Sequence, residues 1–105
     1  MMIVATLSIT PADDGNFTDE IAAAIGALDD HDVSYEVDPM GTTIEAEALS
    51  DLLGAVEAAH EAVSADRVRT VLQIDDDRER AQDGAQWVAA VEEALGREPT
   101  GEPQA

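Results

Sequence analysis

Four stretches of this chain alternate apolar and polar side chains with period two, and stretches of helical period separate them in the order strand, helix, strand, strand, helix, strand. Period two puts successive side chains on opposite faces of a strand, whereas spacings of three and four line one face of a helix. The first stretch, Met2 to Ile9, sets Ile3, Ala5, Leu7 and Ile9 against Val4, Thr6 and Ser8. In the second, Val33, Tyr35 and Val37 alternate with Ser34, Glu36 and Asp38; in the third, Thr42, Ile44 and Ala46 alternate with Thr43, Glu45 and Glu47. The fourth runs from about Arg67 to Asp75, with Val68, Thr70, Leu72 and Ile74 opposing Arg69, Val71, Gln73 and Asp75.

Between these stretches the turn and cap signals are consistent with the pattern. Pro11, Asp13, Asp14 and Gly15 predict a turn, after which Asn16 or Thr18 caps a helix with Ile21, Ile25 and Leu28 as its buried stripe, ending near His31. Asp38-Pro39-Met40-Gly41 is short enough to join the second and third strands as a hairpin. Ser50 is expected to cap a second helix that buries Leu52, Val56, Ala59 and Val63, with Leu49 or Leu53, and turns Glu57 and Glu61 outward; Gly54 weakens it slightly. A terminal helix is expected over about Arg78 to Leu95, with Ala81, Ala85, Val88 and Leu95 on one side and Gly96 closing it. Two strand-helix-strand crossovers joined through a hairpin predict an α+β, ferredoxin-like two-layer sandwich. Its four-stranded antiparallel sheet has order 4-1-3-2, with two helices on one face and an extra C-terminal helix. One domain is expected over 1–96, followed by a flexible acidic tail over 97–105.

The composition decides which partners such a domain tolerates. Leu, Ile, Val and Phe make up 23 of 105 residues, just above the level of about 20% below which highly charged chains stay disordered, so the chain is read as folded. The 24 acidic residues face only 5 arginines and no lysine, a formal charge of -19. A field this negative repels phosphate backbones and anionic membranes, and no basic cluster offsets it. The chain has no cysteine, hence no disulfide framework, thiolate nucleophile or thiolate metal site. Its first apolar stretch is too short for a signal peptide or membrane span, and a cytoplasmic location is expected. Short carboxylates without long amines suit molar intracellular salt, where screening removes self-repulsion; a salt-loving source is expected.

Function is expected on the sheet face that the two helices leave open. Order 4-1-3-2 places Thr6 and Ser8 of the first strand between Thr43, Glu45 and Glu47 of the third and Arg69, Val71 and Gln73 of the fourth. Val4 and Val71 share this face, which suggests partial cover by another subunit. Two readings stand side by side: a solvated face with rim salt bridges, or an enclosed polar site for a small, preferably cationic ligand using Thr6, Ser8, Thr43, Glu45 and Gln73. Met40 either fills a hole beneath the helices or packs on a flat ring.

Other candidates carry less. Asp75, Asp76 and Asp77 read as a solvated acidic turn or a cation site without the remaining ligands of a calcium loop, with Arg78 and Arg80 pairing locally. His31 reads as a helix-end cation, and His60 lacks both a second histidine at metal spacing and a nucleophile elbow at Ser64. Tyr35 and the Trp87–Val88 edge read as core or subunit contacts. No residue set suggests turnover.

The segment Tyr35-Glu36-Val37-Asp38-Pro39-Met40-Gly41-Thr42-Thr43-Ile44-Glu45 resembles the small thiamine-binding protein family of prokaryotes. The opening Ile3-Val4-Ala5-Thr6-Leu7-Ser8-Ile9-Thr10-Pro11 is similar to the family's first strand, Ala59-His60-Glu61-Ala62 to its second helix, and Ile74-Asp75-Asp76-Asp77-Arg78 to its strand-to-helix junction. The resemblance implies a ferredoxin-like protomer that assembles as a homodimer or homotetramer. It also implies a non-enzymatic site for thiamine or its pyrimidine moiety, serving thiamine supply or uptake and requiring no cofactor. On that basis Glu45 accepts from the aminopyrimidine edge, Ser8, Thr43 or Gln73 completes the polar contacts with Thr6 nearby, and Met40 covers a ring. The different reading is a structural or regulatory homo-oligomeric module for another small effector.

The charge yields a direct prediction. Far-ultraviolet circular dichroism is expected to show a folded chain in about 2 M KCl and progressive loss of ellipticity as salt falls below about 0.1 M, where the screening length reaches about 10 Å. An unchanged spectrum would mean that the acidity is not a solvent adaptation.

Overall fold

The computed structural model describes residues 2–12, 17–79 and 84–101. In chain order the elements are β1 (Ile3–Pro11), α1 (Phe17–Leu28), β2 (Ser34–Asp38), β3 (Gly41–Ala46), α2 (Leu49–Ala62), β4 (Val68–Asp75) and α3 (Gly84–Leu95). The strands form one antiparallel sheet in the order β2-β3-β1-β4, the 4-1-3-2 arrangement read from its other end. This is the ferredoxin-like α+β fold that the crossover pattern predicts.

The alternation assigns the two faces. Ile3, Ala5 and Leu7 of β1 are buried with Ile44 and Ala46 of β3, and Ala24, Leu28, Leu52, Ala55, Ala59 and Val63 cover them from the helical layer. Tyr35, Val68 and Leu72 pack against this core from the outer strands. Leu28, Ile44 and Leu52 are fully enclosed, each contributing roughly 1.5–3 kcal/mol through burial. Tyr35 keeps its hydroxyl at the rim, where it donates to Asp29 Oδ1 at 2.6 Å. That bond, burial and the carboxylate's charge hold the phenol's pKa above its ordinary 10.0.

Several local expectations are corrected. Pro11 does not turn the chain: it is the last residue of β1, buried and opposite Val68, and Ala12 N–H donates to Arg67 O at 2.8 Å beyond it. The expected turn and cap residues Asp13, Asp14, Gly15 and Asn16 lie outside the described residues. In α1 the deepest residues are Ala24 and Leu28, with Ile25 only partly buried. In α2 they are Leu52, Ala55 and Ala59, while Leu49 and Leu53 are exposed. In both helices alanines share the buried stripe with one leucine and bring the helix backbone close to its neighbours, which leaves Ile25, Leu49 and Leu53 toward the flanks. Helix α2 starts from Ala48 with no side-chain cap, so Ser50 is not its cap.

Glu47 lies past the end of β3, which leaves Glu45 as the carboxylate of that strand's open face. Residues 76–79 are not helical, and α3 begins at Gly84; Arg80 and Ala81 lie outside the described residues. At the other end Gly96 takes φ 80° and donates to Glu92 O at 2.8 Å, the expected helix stop.

Longer-range polar contacts tie the layers together. Ser64 N–H donates to Glu20 Oε2 at 2.5 Å, joining the end of α2 to α1. His60 Nδ1 lies 2.5 Å from Thr70 Oγ1, joining α2 to β4. The His31 ring rests over Gly54, where an added Cβ would lie 3.5 Å from Nδ1.

The β2–β3 hairpin depends on one glycine. Asp38 pairs with Gly41 across the turn, and the Asp38 carboxylate accepts from Met40 N–H at 2.7 Å. Gly41 has φ 143°, and a Cβ there would stand 2.8 Å from the Leu7 carbonyl oxygen of β1. Both the dihedral and the clash exclude a side chain. Gly41→Ala is therefore expected to lose about 1–3 kcal/mol of stability, read as a lower urea midpoint at fixed high salt. A midpoint equal to that of the wild type would refute the close approach.

Candidate functional site

The open face is built from the other set of alternating residues. Thr6 of β1 has Thr43 on one side and Gln73 on the other, so these three form one row across β3, β1 and β4. Along the strands, Val4 stands between Glu45 and Asp75, and Ser8 is opposite Val71. On β2, Ser34 is opposite Glu45 and Glu36 opposite Thr43. The expected placement of Thr6, Ser8, Thr43, Glu45 and Gln73 on a single sheet face is thus observed.

Helix α3 converts part of that face into a cleft. Its first residue meets the Glu45 side chain: a Cβ at Gly84 would lie 1.8 Å from Glu45 Oε1 and 3.0 Å from Cδ. The carboxylate fills the space beside a bare backbone at a helix N-terminus, where the helix dipole favours negative charge. From there α3 faces β2 and β3 across an open cleft of about 700 Å³. The sheet supplies Val4, Ser34, Glu36, Thr43 and Glu45; the helix supplies Trp87, Val88 and Glu92. Pockets for small molecules run from about 300 to 1,000 Å³. The charged side chains lining this one are the carboxylates of Glu36, Glu45 and Glu92, with no arginine among them. The cleft combines a negative field, neutral hydroxyls and an indole wall, which suits a flat cation with hydrogen-bond donors.

A second, smaller cleft of about 300 Å³ lies at the hairpin end of the sheet, toward α1. Ser8, Thr10, Ile21, Ile25, Val37 and the Pro39-Met40-Gly41-Thr42 turn border it. Met40 stands at its mouth with 89% of its surface exposed, so it fills no hole beneath the helices. The six residues expected to form one site are therefore divided. Glu45 and Thr43 line the α3 cleft, Ser8 and Met40 line the hairpin cleft, and Thr6 and Gln73 form part of the sheet surface without lining either.

Trp87 does not share the core with Tyr35 as expected. It is 50% exposed over the opposite face, because α3 crosses to the side that α1 and α2 leave open. Ser34, Glu36 and Glu92 were missed as lining residues. The alternation of β2 already places Ser34 and Glu36 beside Glu45 and Thr43, so a signal for those two existed; the path of α3 had none. Elsewhere, Arg78 Nε meets Asp76 Oδ2 at 3.1 Å, the expected local pairing. Among the described residues, no group of three or more His, Asp or Glu is arranged to hold a metal ion. Among them too, no helix is long and apolar enough to cross a membrane.

Known proteins share both the sequence pattern and this architecture. Residues 5–92 match the family described as thiamine-binding protein. A UPF0045 protein of Methanothermobacter thermautotrophicus is 41% identical over 99 residues, spanning 90% of this chain and all of the relative. A solved hypothetical protein of Methanocaldococcus jannascii superposes with a TM-score of 0.80 at 29% identity, over 88% of this chain and 97% of the other. A proposed thiamine biosynthesis/salvage protein of Thermotoga maritima shares the fold, with a TM-score of 0.72 at 23% identity over 87% and 99% of the two chains. The match across nearly all of the sheet and its helices, together with the close archaeal relative, shows that this chain belongs to the thiamine-binding protein family.

Proposed function

We propose that the protein binds thiamine or its hydroxymethylpyrimidine moiety, without chemical turnover, in the cleft between α3 and the open sheet face. The observation that carries this reading is the pairing of Glu45 and Thr43 with Trp87 in a cavity whose charged lining is wholly acidic. The Glu45 carboxylate accepts from the exocyclic amine of the pyrimidine, and the Thr43 hydroxyl supplies a further contact. The indole of Trp87 takes the ring-covering role expected of Met40 and attracts the thiazolium cation. Thr6 and Gln73 continue the polar row toward β4, and Ser8 and Met40 border the neighbouring cleft. In molar salt the screening length is about 3 Å, so the long-range field of the other carboxylates vanishes and the carboxylate in contact determines affinity.

The half-exposed Trp87, Val88 and Leu95 of α3 support assembly of the protomer as a homodimer or homotetramer, which would enclose the cleft further. Such an assembly in the cytoplasm would store or deliver the ligand in thiamine supply or uptake. The same exposed stripe also favours the second reading, an oligomeric module whose effector is a different small molecule.

Titration calorimetry in about 2 M KCl tests the site, and the absence of saturable heat for both thiamine and hydroxymethylpyrimidine would sink the ligand reading in favour of the module. Glu45→Gln is expected to weaken binding at least about tenfold, a change worth about 1.4 kcal/mol. Gly84→Ala is expected to weaken it as well, because the new methyl group displaces the flexible Glu45 carboxylate rather than the backbone. Met40→Ala should leave affinity within about twofold of wild type. The reverse pattern, loss with Met40→Ala and none with Glu45→Gln, would move the ligand to the hairpin cleft.

A further inference from the structure

The cleft beside α3 has a direction along the helix. The Glu45 side chain meets Gly84 at the start of α3, and Glu92 lines the cleft further along the same helix, about 12 Å on at the usual helical rise. Trp87 stands between these two points, and Glu36 lines the same space from β2. A ligand whose amine is held at Glu45 and whose cationic ring lies on Trp87 therefore carries its remaining end toward Glu92. In thiamine that end is a primary alcohol, the group on which a phosphate ester forms.

An ester placed there lacks the groups that hold phosphate. A phosphate monoester carries about -1.5 to -2 elementary charges at neutral pH, and proteins hold it with arginine, lysine or the free N–H groups of a helix start. The chain has no lysine, and no arginine stands among the described residues that line the cleft. Arg67 and Arg69 stand at the start of β4, Arg78 pairs with Asp76, and Arg97 donates to the backbone carbonyls of Glu98 and Thr100; Arg80 lies outside the described residues. The start of α3 is met by the chain's own Glu45 carboxylate. The hairpin cleft suits an ester no better, since its charged lining residue is Asp38.

We propose that the α3 cleft distinguishes the free alcohol from its phosphate ester and takes only the alcohol, with Glu92 and Glu36 as the residues that set this specificity. This rests on the ligand reading above and adds to it the chemical form in which the ligand is taken. The two carboxylates attract a cation and repel a phosphate placed beside them, so each contributes to the preference from both sides. In molar salt the distant acids are screened over about 3 Å, and the selection comes from the carboxylates at contact.

Titration calorimetry in about 2 M KCl compares each alcohol with its own ester: thiamine with thiamine monophosphate, and hydroxymethylpyrimidine with its phosphate. The wild type is expected to bind thiamine at least about tenfold more tightly than the monophosphate. Glu92→Arg should reduce that ratio at least about tenfold, and Glu36→Arg, on an exposed strand position, serves as a second variant should the first lose its folded circular-dichroism spectrum. Glu57→Arg makes the same change of charge at an exposed position of α2 that lines neither cleft, and it should leave the ratio within about twofold of wild type. Saturable binding of alcohol and ester with equal affinity would overturn the selectivity and leave the ligand reading standing, whereas no saturable heat with either alcohol would remove both. A ratio that neither cleft variant moves, or that Glu57→Arg moves as far, would show that Glu92 and Glu36 do not set the specificity and would also overturn the proposal.

Discussion

Strand β1 is paired on both sides, to β3 through Ile3–Leu7 and to β4 through Val4–Pro11, and every other feature of the molecule takes its position from that central strand. Its pleat divides one short sequence between two environments. Ile3, Ala5 and Leu7 anchor the core beneath the helices, while Val4, Thr6 and Ser8 form the middle of the opposite face. A slip of one residue in either ladder would exchange these sets and bury hydroxyls in place of aliphatic side chains. The register is therefore held by the free energy of the whole apolar layer rather than by any single contact. Gly41 reinforces it, since only a bare backbone lets the hairpin approach the Leu7 carbonyl of β1 so closely.

With the sheet fixed, electrostatics decides what its surfaces can do. Most acids of the described residues lie on helices and connections rather than on the sheet. Glu45 differs because the pleat turns it onto the open face and the start of α3 closes over it. Glu36 and Glu92 line the same cleft with Thr43 and Trp87, and Glu45 is set apart from them by its side chain meeting Gly84 at the start of α3. The scarce arginines are informative for the converse reason: against so negative a background, two of them at the start of one edge strand make that edge unlike the other.

Much of this was legible in the sequence, and where it was not the cause is physical. The alternation Thr42-Thr43-Ile44-Glu45-Ala46 fixes which side chains are buried, because strand periodicity leaves no freedom once one face must be apolar. The placement of Thr6, Thr43 and Gln73 in one row follows from topology and alternation together. Helix stripes were less reliable. Alanine carries little hydrophobic signal, yet Ala24, Ala55 and Ala59 are buried as deeply as Leu28 and Leu52, because small side chains let the helices approach their neighbours closely. Pro11 reads as a turn residue but tolerates the end of a strand, where its missing N–H interrupts little of the ladder.

The division of the expected site has the same origin. Met40 and Glu45 are close in sequence and both belong to the motif that resembles the family, yet one stands at the exposed hairpin mouth and the other beneath α3. Sequence alone determined the order of the elements, the two faces of each strand, the sheet order and the family, since each rests on local periodicity or on a contiguous motif. Tertiary structure alone decided that α3 crosses to the open face, that Trp87 lines a cleft together with Glu45, and that the residues expected to form one site are divided between clefts. Those outcomes depend on where a helix lands after its connection, a matter of long-range packing that no local pattern encodes.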